Sequence, residues 1–195
     1  MLKIDSKFLD FSLEIYNTET DEIGRVTNKD FEDSWLVIFF YPADFTFICP
    51  TEIMDMHRLA NDFKKEGAKM LVVSTDTVYT HKAWTESEQL LGGLKFQMGA
   101  DHNGRFSRDS NVYDEENGMA QRATFIVDDK GILRASYIVS DPIGRSAKEI
   151  FRLLKALKFV ENNPGKVCPA SWDEGDKTLT PSIKITGKIY QELSG

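Results

Sequence analysis

The chain has 195 residues, 41% of them hydrophobic and 28% charged, enough to bury a real core and ordinary for a globular protein. A formal net charge of -7 argues against nucleic acid as a main partner, because phosphate binding needs a basic face. The N-terminus is charged at once and the longest apolar run, Leu36 to Tyr41, is too short for a signal segment or a membrane span, so a soluble, unexported, cytoplasmic chain without a membrane partner is expected.

Trp35 to Tyr41 is a continuous apolar, β-branched and aromatic run, which predicts a strand buried on both faces. After the turn Pro42-Ala43-Asp44, the apolar residues Ile53, Met56, Ala60 and Phe63 recur at helical spacing. With Pro50 near the start and Gly67 past the end, they predict a helix from Pro50 to Glu66 whose N-terminus carries Cys49. Met70 to Val73 reads as a second buried strand and Val78 to Leu91 as a helix, so a βαβ unit with a parallel pair follows. Ala123 to Val127 and Leu133 to Val139 flank the turn-forming Asp128-Asp129-Lys130-Gly131 and predict a hairpin. Ala147 to Val160 is strongly amphipathic and predicts a helix. Beyond Asn162-Asn163-Pro164-Gly165 the pattern stops, so residues 1–163 are expected to form one domain and residues 164–195 a C-terminal arm.

The chain holds two cysteines, Cys49 and Cys168, which cannot make a secreted disulfide framework and do not have zinc spacing. Two buried structural thiols are the ordinary expectation. Their settings point elsewhere. Cys49 follows a strand and a short loop at a helix start, where unpaired N–H groups and a partial positive charge favour a thiolate. Thr46 sits three residues earlier as a hydrogen-bond donor, and Pro42 can shield the sulfur from water. Such groups would align a substrate and stabilise charge on a departing atom.

Pro42, Thr46 and Cys49 reproduce the Pro-x-x-x-Thr-x-x-Cys signature of peroxiredoxins, and the segment Tyr41 to Glu52 resembles their peroxidatic loop. In Gln121-Arg122-Ala123-Thr124-Phe125, the resemblance gives Arg122 the role of holding the thiolate and a peroxide oxygen. Val167-Cys168-Pro169-Ala170-Ser171-Trp172 resembles the resolving-cysteine motif of the typical two-cysteine branch. The likeness runs from about Ser6 to Ile189 and is nearest to the bacterial alkyl hydroperoxide reductase C branch. It implies a thioredoxin-like α/β fold with a central mixed sheet, flanking helices and a C-terminal arm. It further implies a disulfide between Cys49 and Cys168 of a partner subunit, in a homodimer that assembles into a ring, a decamer. Phe45, Thr80 and Trp84 would lie near the ring contact, although Phe45 and Trp84 are equally well read as core aromatics. Glu52 and Arg145 resemble an ion pair behind the site, although surface charges are as good a reading of either alone.

The resemblance implies a peroxide substrate and a flavoprotein disulfide reductase or thioredoxin as electron donor. No nucleotide or metal is expected in the chain itself: Gly-x-Gly-x-x-Gly and P-loop patterns are missing, and His57, His81 and His102 have no metal-ligand spacing. Asp101-His102-Asn103-Gly104 lacks the closing glutamate of a calcium loop and reads as a turn. Members prone to overoxidation carry Gly-Gly-Leu-Gly and a terminal Tyr-Phe; here Leu94 is followed by Lys95 and Tyr190 by Gln191. That departure implies an arm packed loosely over the Cys49 helix. A non-enzymatic holdase and a peroxide sensor that passes on its disulfide are the two rival readings.

Overall fold

A computed structural model describes residues 2–194, which fall into two compact units, one ending at Ala147 and one beginning at Lys148. In the first unit, β3 (Trp35–Phe40) is buried along its whole length, as a continuous apolar run must be when both its faces are covered. β4 (Ala68–Ser74) pairs with it in parallel and β8 (Arg122–Val127) antiparallel. β5 (Gln97–Ala100) continues the parallel set beyond β4, and the hairpin of β1 (Ser12–Asn17) and β2 (Glu22–Thr27) extends that edge. With β9 (Leu133–Val139) the mixed sheet has seven strands in the order β2-β1-β5-β4-β3-β8-β9. Alternation sends Leu36, Ile38 and Phe40 to one face of β3, where they join Leu71, Val73, Phe106 and Phe125 in a core rich in phenylalanine.

The expected βαβ unit and the hairpin β8–β9 are present. At the hairpin tip the Asp128 carboxylate accepts the N–H groups of Lys130 and Ile132, and Gly131 takes the left-handed backbone (φ +73) that the turn needs. The helix expected from Pro50 to Glu66 is instead two, α1 (Cys49–Arg58) and α2 (Ala60–Lys65). Leu59 interrupts them, its N–H turning back to the Met56 carbonyl at 3.2 Å. The next helix is also shorter than expected: α3 (Val78–Ser87) stops where Glu88 becomes extended, and the Glu88 side chain caps a single 3-10 turn at Gln89–Leu91. Near that end Thr85 and Ser87 return their hydroxyls to the carbonyls of His81 and Ala83, a habit that weakens helix ends. Two small elements precede β8: α4 (Arg105–Asp109) and the hairpin of β6 (Tyr113–Asp114) with β7 (Met119–Ala120).

The second unit is built on α5 (Ala147–Asn162), apart from its first residue. The arm that follows is tied to this helix midway. Trp172 is buried, its ring 4.9 Å from that of Phe159 and its indole N–H on the Asp176 carbonyl, while Arg152 donates to the Trp172 carbonyl at 2.7 Å. The compact units meet between Ala147 and Lys148, in the first turn of α5, whereas composition changes at 163/164. The last turns, a 3-10 turn at Ile183–Ile185 and α6 (Ile189–Ser194), contain no buried residue.

Candidate active site

The register of β3 against β8 pairs Phe40 with Ala123, so Arg122 stands one step beyond, where β3 gives way to a loop. That loop ends at α1, whose first residue is Cys49 and whose first turn contains Pro50 and Glu52. Cys49 is buried, and Arg122 Nη1 lies 3.2 Å from its sulfur as a hydrogen-bond donor. The same nitrogen donates to Glu52 Oε2 at 2.7 Å. The other carboxylate oxygen of Glu52 accepts both the Arg145 N–H at 2.8 Å and Arg145 Nε at 2.9 Å.

Arg145 spends its remaining donors on the Phe40 carbonyl (2.8 Å) and the Thr124 hydroxyl (3.1 Å), and its guanidinium lies 3.5 Å from the centre of the Phe39 ring. Side-chain exposure is 3% for Arg122, 1% for Glu52 and 0% for Arg145, so all three charges are out of water and depend on one another. Burial pulls Arg145 below its ordinary value, with Glu52 working against that. Burial also opposes the Arg122 charge, yet its hydrogen bond and attraction to Cys49, together with Glu52, hold it above its ordinary value. The one buried carboxylate is shared by two guanidiniums, and Arg122 presents its Nη1 to the sulfur while the exposed Asp141 carboxylate lies 3.1 Å from its Nη2. Gly144 makes the approach of the Arg145 loop possible: a Cβ there would stand 3.2 Å from Ile48 Cγ2.

The other residues singled out in the sequence are placed as follows. Pro42 is buried and lines a cleft together with Arg122. The Thr46 hydroxyl donates to the Ala43 carbonyl at 2.8 Å and not to Cys49, so it offers lone pairs to the site where a donor was expected. Trp84 is a buried aromatic stacked on Tyr41, whereas Phe45 is 57% exposed, its ring 6.3 Å from that of Trp84. Thr80 shares a hydroxyl hydrogen bond with Thr77 at the start of α3. Glu52 and Arg145 form the expected pair, and what the sequence did not disclose is that Arg122 joins it.

Under the loop lies a second buried network that sequence reasoning missed. Asp44 accepts from the Tyr41 hydroxyl at 2.6 Å and meets His81 Nδ1 at 2.7 Å, and its N–H donates to Asp76 at 2.8 Å. Burial raises the Asp44 carboxyl, with the His81 hydrogen bond opposing, and burial with the Asp44 charge lifts the Tyr41 hydroxyl well above its ordinary value. These contacts hold the first half of the loop, at Tyr41 and Asp44. Phe45 within it has left-handed backbone (φ 56), a conformation an aromatic residue adopts only under constraint. Cys168 lies in the second unit, half-buried, with the Ala156 carbonyl at 3.9 Å as a weak acceptor and the Arg152 charge acting on it.

A strand-loop-helix frame that buries a cysteine against an arginine is matched over residues 4–136 by the model of the AhpC/TSA family. This chain belongs to that family. The model of the C-terminal domain of 1-Cys peroxiredoxin matches residues 156–186, the stretch that holds Cys168. Alkyl hydroperoxide reductase C of Staphylococcus epidermidis is 41% identical over 189 residues, which cover 97% of this chain and 100% of the relative. The protein of the same name from Staphylococcus aureus gives the same figures, 41% over 189 residues. In fold the chain resembles AhpC of Enterococcus faecalis, with a TM-score of 0.82 at 40% identity over 87% of this chain and 100% of that one. It also resembles the reduced 2-Cys peroxiredoxin of Plasmodium vivax, with a TM-score of 0.90 at 30% identity over 98% of both chains. This AhpC/TSA protein is a peroxiredoxin of thioredoxin-like fold, a thiol-dependent peroxidase. Members of its family typically oligomerise and use a reductase partner. No helix among the described residues is long and apolar enough to cross a membrane.

Proposed function

We propose that this peroxidase reduces hydrogen peroxide and organic hydroperoxides at Cys49. The thiolate attacks the terminal oxygen of ROOH, the O–O bond breaks, and its electron pair leaves with RO⁻, which takes a proton and departs as water or alcohol. Cys49 is left as a sulfenic acid. The observation that carries this reading is Arg122 Nη1 at 3.2 Å from the sulfur, within reach of both the thiolate and the oxygen on which charge develops. Glu52 and Arg145 position Arg122. Thr46, its own proton committed to Ala43, accepts a hydrogen bond from the hydroperoxide O–H and so orients the O–O bond, while Pro42 keeps water from the sulfur.

Cys168 from the other subunit of a homodimer then attacks the sulfenic sulfur: an S–S bond forms, the S–O bond breaks, and water leaves. A flavoprotein disulfide reductase or a thioredoxin returns both thiols, and no bound cofactor or metal is needed. The dimers assemble through the surface around Phe45, Thr80 and Trp84 into a ring of decamer size, and the protein works in the cytoplasm.

A brief treatment with one equivalent of hydrogen peroxide, followed by a non-reducing gel, tests the pairing. A covalent dimer is expected from the parent and neither from Cys49→Ser nor from Cys168→Ser; a parent that stays monomeric while consuming peroxide would refute it.

A further inference from the structure

A cleft of about 530 Å³ opens on the solvent side of Arg122. Cys49 does not itself line this cleft; Arg122, whose Nη1 reaches the sulfur, joins the two, and hydrogen peroxide, little larger than a water molecule with its share of about 30 Å³, would leave most of the space unfilled. Pro42 lies on the wall of the cleft, with Met119 from β7 and Ile138 from β9, the last 47% exposed. Walls of this kind suit the carbon skeleton of an organic hydroperoxide.

The polar groups of the cleft have one dominant sign. Arg122 is its cation, and the two edges of the guanidinium turned away from Cys49 are already taken by one residue. Arg122 Nε donates to the Asp141 backbone carbonyl at 2.6 Å, and Nη2 lies 3.1 Å from Asp141 Oδ1. The Asp141 side chain is 74% exposed, so its carboxylate stands at the mouth. Asp114 adds a second carboxylate from the end of β6. It accepts from the Asn117 side chain at 2.7 Å and from the Glu116 N–H at 2.9 Å, bonds that hold its carboxyl below the usual range and keep it ionised. A substrate bearing its own carboxylate would have to approach both groups and compete with Asp141 for Arg122. An uncharged one would meet neither obstacle.

We infer that this cleft selects uncharged organic hydroperoxides over those that carry a carboxylate, with Asp141 as the specificity-determining residue and Asp114 in support. The inference rests on the peroxidase reading above and adds a charge rule for the group beyond the O–O bond. Like charges a few ångströms apart in a partly wet cleft discriminate by about tenfold at low salt, and the effect shrinks as salt screens it.

Single-turnover oxidation of Cys49 in the reduced full-length protein decides the matter, with cumene hydroperoxide and its ring-carboxylated analogue as the matched pair. The parent should oxidise about tenfold faster with the neutral compound at low salt, and the gap should narrow at high salt. Asp141→Asn should narrow it at low salt, chiefly through the charged compound, and Asp114→Asn should do so to a smaller extent. The ratio of the two rates is the readout, so a general change in activity does not mimic the effect. Equal rates in the parent, or a ratio untouched by both substitutions, would overturn the selectivity alone. Failure of both hydroperoxides and of hydrogen peroxide to oxidise Cys49 would overturn the peroxidase reading and this inference with it.

Discussion

Around Cys49, Arg122, Glu52 and Arg145 form a buried relay of charges in which distances of 2.7 to 3.2 Å leave little freedom. Around Cys168 there is one weak acceptor at 3.9 Å, on an arm anchored to α5 mainly through Trp172. Burial raises the Cys168 thiol above its ordinary value, and the Arg152 charge only partly opposes it. The contrast suits a division of labour. One thiol is prepared in place for a small substrate, and the other stays protonated and loosely held until it meets an electrophilic sulfur.

The largest expected effect falls on the prepared side. Glu52→Ala strands the buried Arg145 guanidinium, leaves Arg122 with the exposed Asp141 carboxylate, and should cost about 3–5 kcal/mol, read as a lowered midpoint of chemical denaturation. A midpoint equal to that of the parent would mean that the relay is no structural support. Arg122→Gln comes next: Cys49 oxidation by peroxide should slow about 10²–10³-fold in stopped flow, while alkylation of Cys168 proceeds as in the parent. Equal slowing at both thiols would erase the contrast. The smallest effect concerns the quiet thiol and pH. Because burial raises the Cys168 value, its thiolate is scarce at neutral pH, and disulfide formation after one equivalent of peroxide should climb about tenfold per pH unit until that value is passed. Arg152→Gln removes the opposing charge and should shift the profile to still higher pH.

Much of this was legible in local sequence. The apolar run at β3, the turn chemistry at Asp128 to Gly131 and the amphipathic pattern of α5 each rest on neighbours in the chain, and each formed where expected. The Cys49 motif is local too. What escaped depends on residues far apart: Asp44 and His81 are separated by 37 positions, Arg122 and Glu52 by 70, and no periodicity announces such pairs. His81, which the sequence marked only as lacking metal-ligand spacing, is wholly buried and hydrogen-bonded to Asp44. Asp141 carries no signal in the sequence, and the end of β9 beside Arg122 gives it a role. The break at Leu59 has no proline or glycine to signal it. The edge strand β2 went unread because it is mostly exposed and lacks an apolar face.

Cys49 is 0% exposed, and a disulfide, substituted at both of its sulfurs, cannot bring either one to the Cys49 sulfur as the slender terminal OH of a hydroperoxide can. A bulky aromatic disulfide can label it only after the first turn of α1 comes undone, and that same event frees the sulfur to meet another thiol. Labelling kinetics at Cys49 therefore clock the opening of its own helix, with the stranded guanidiniums setting how rarely it happens.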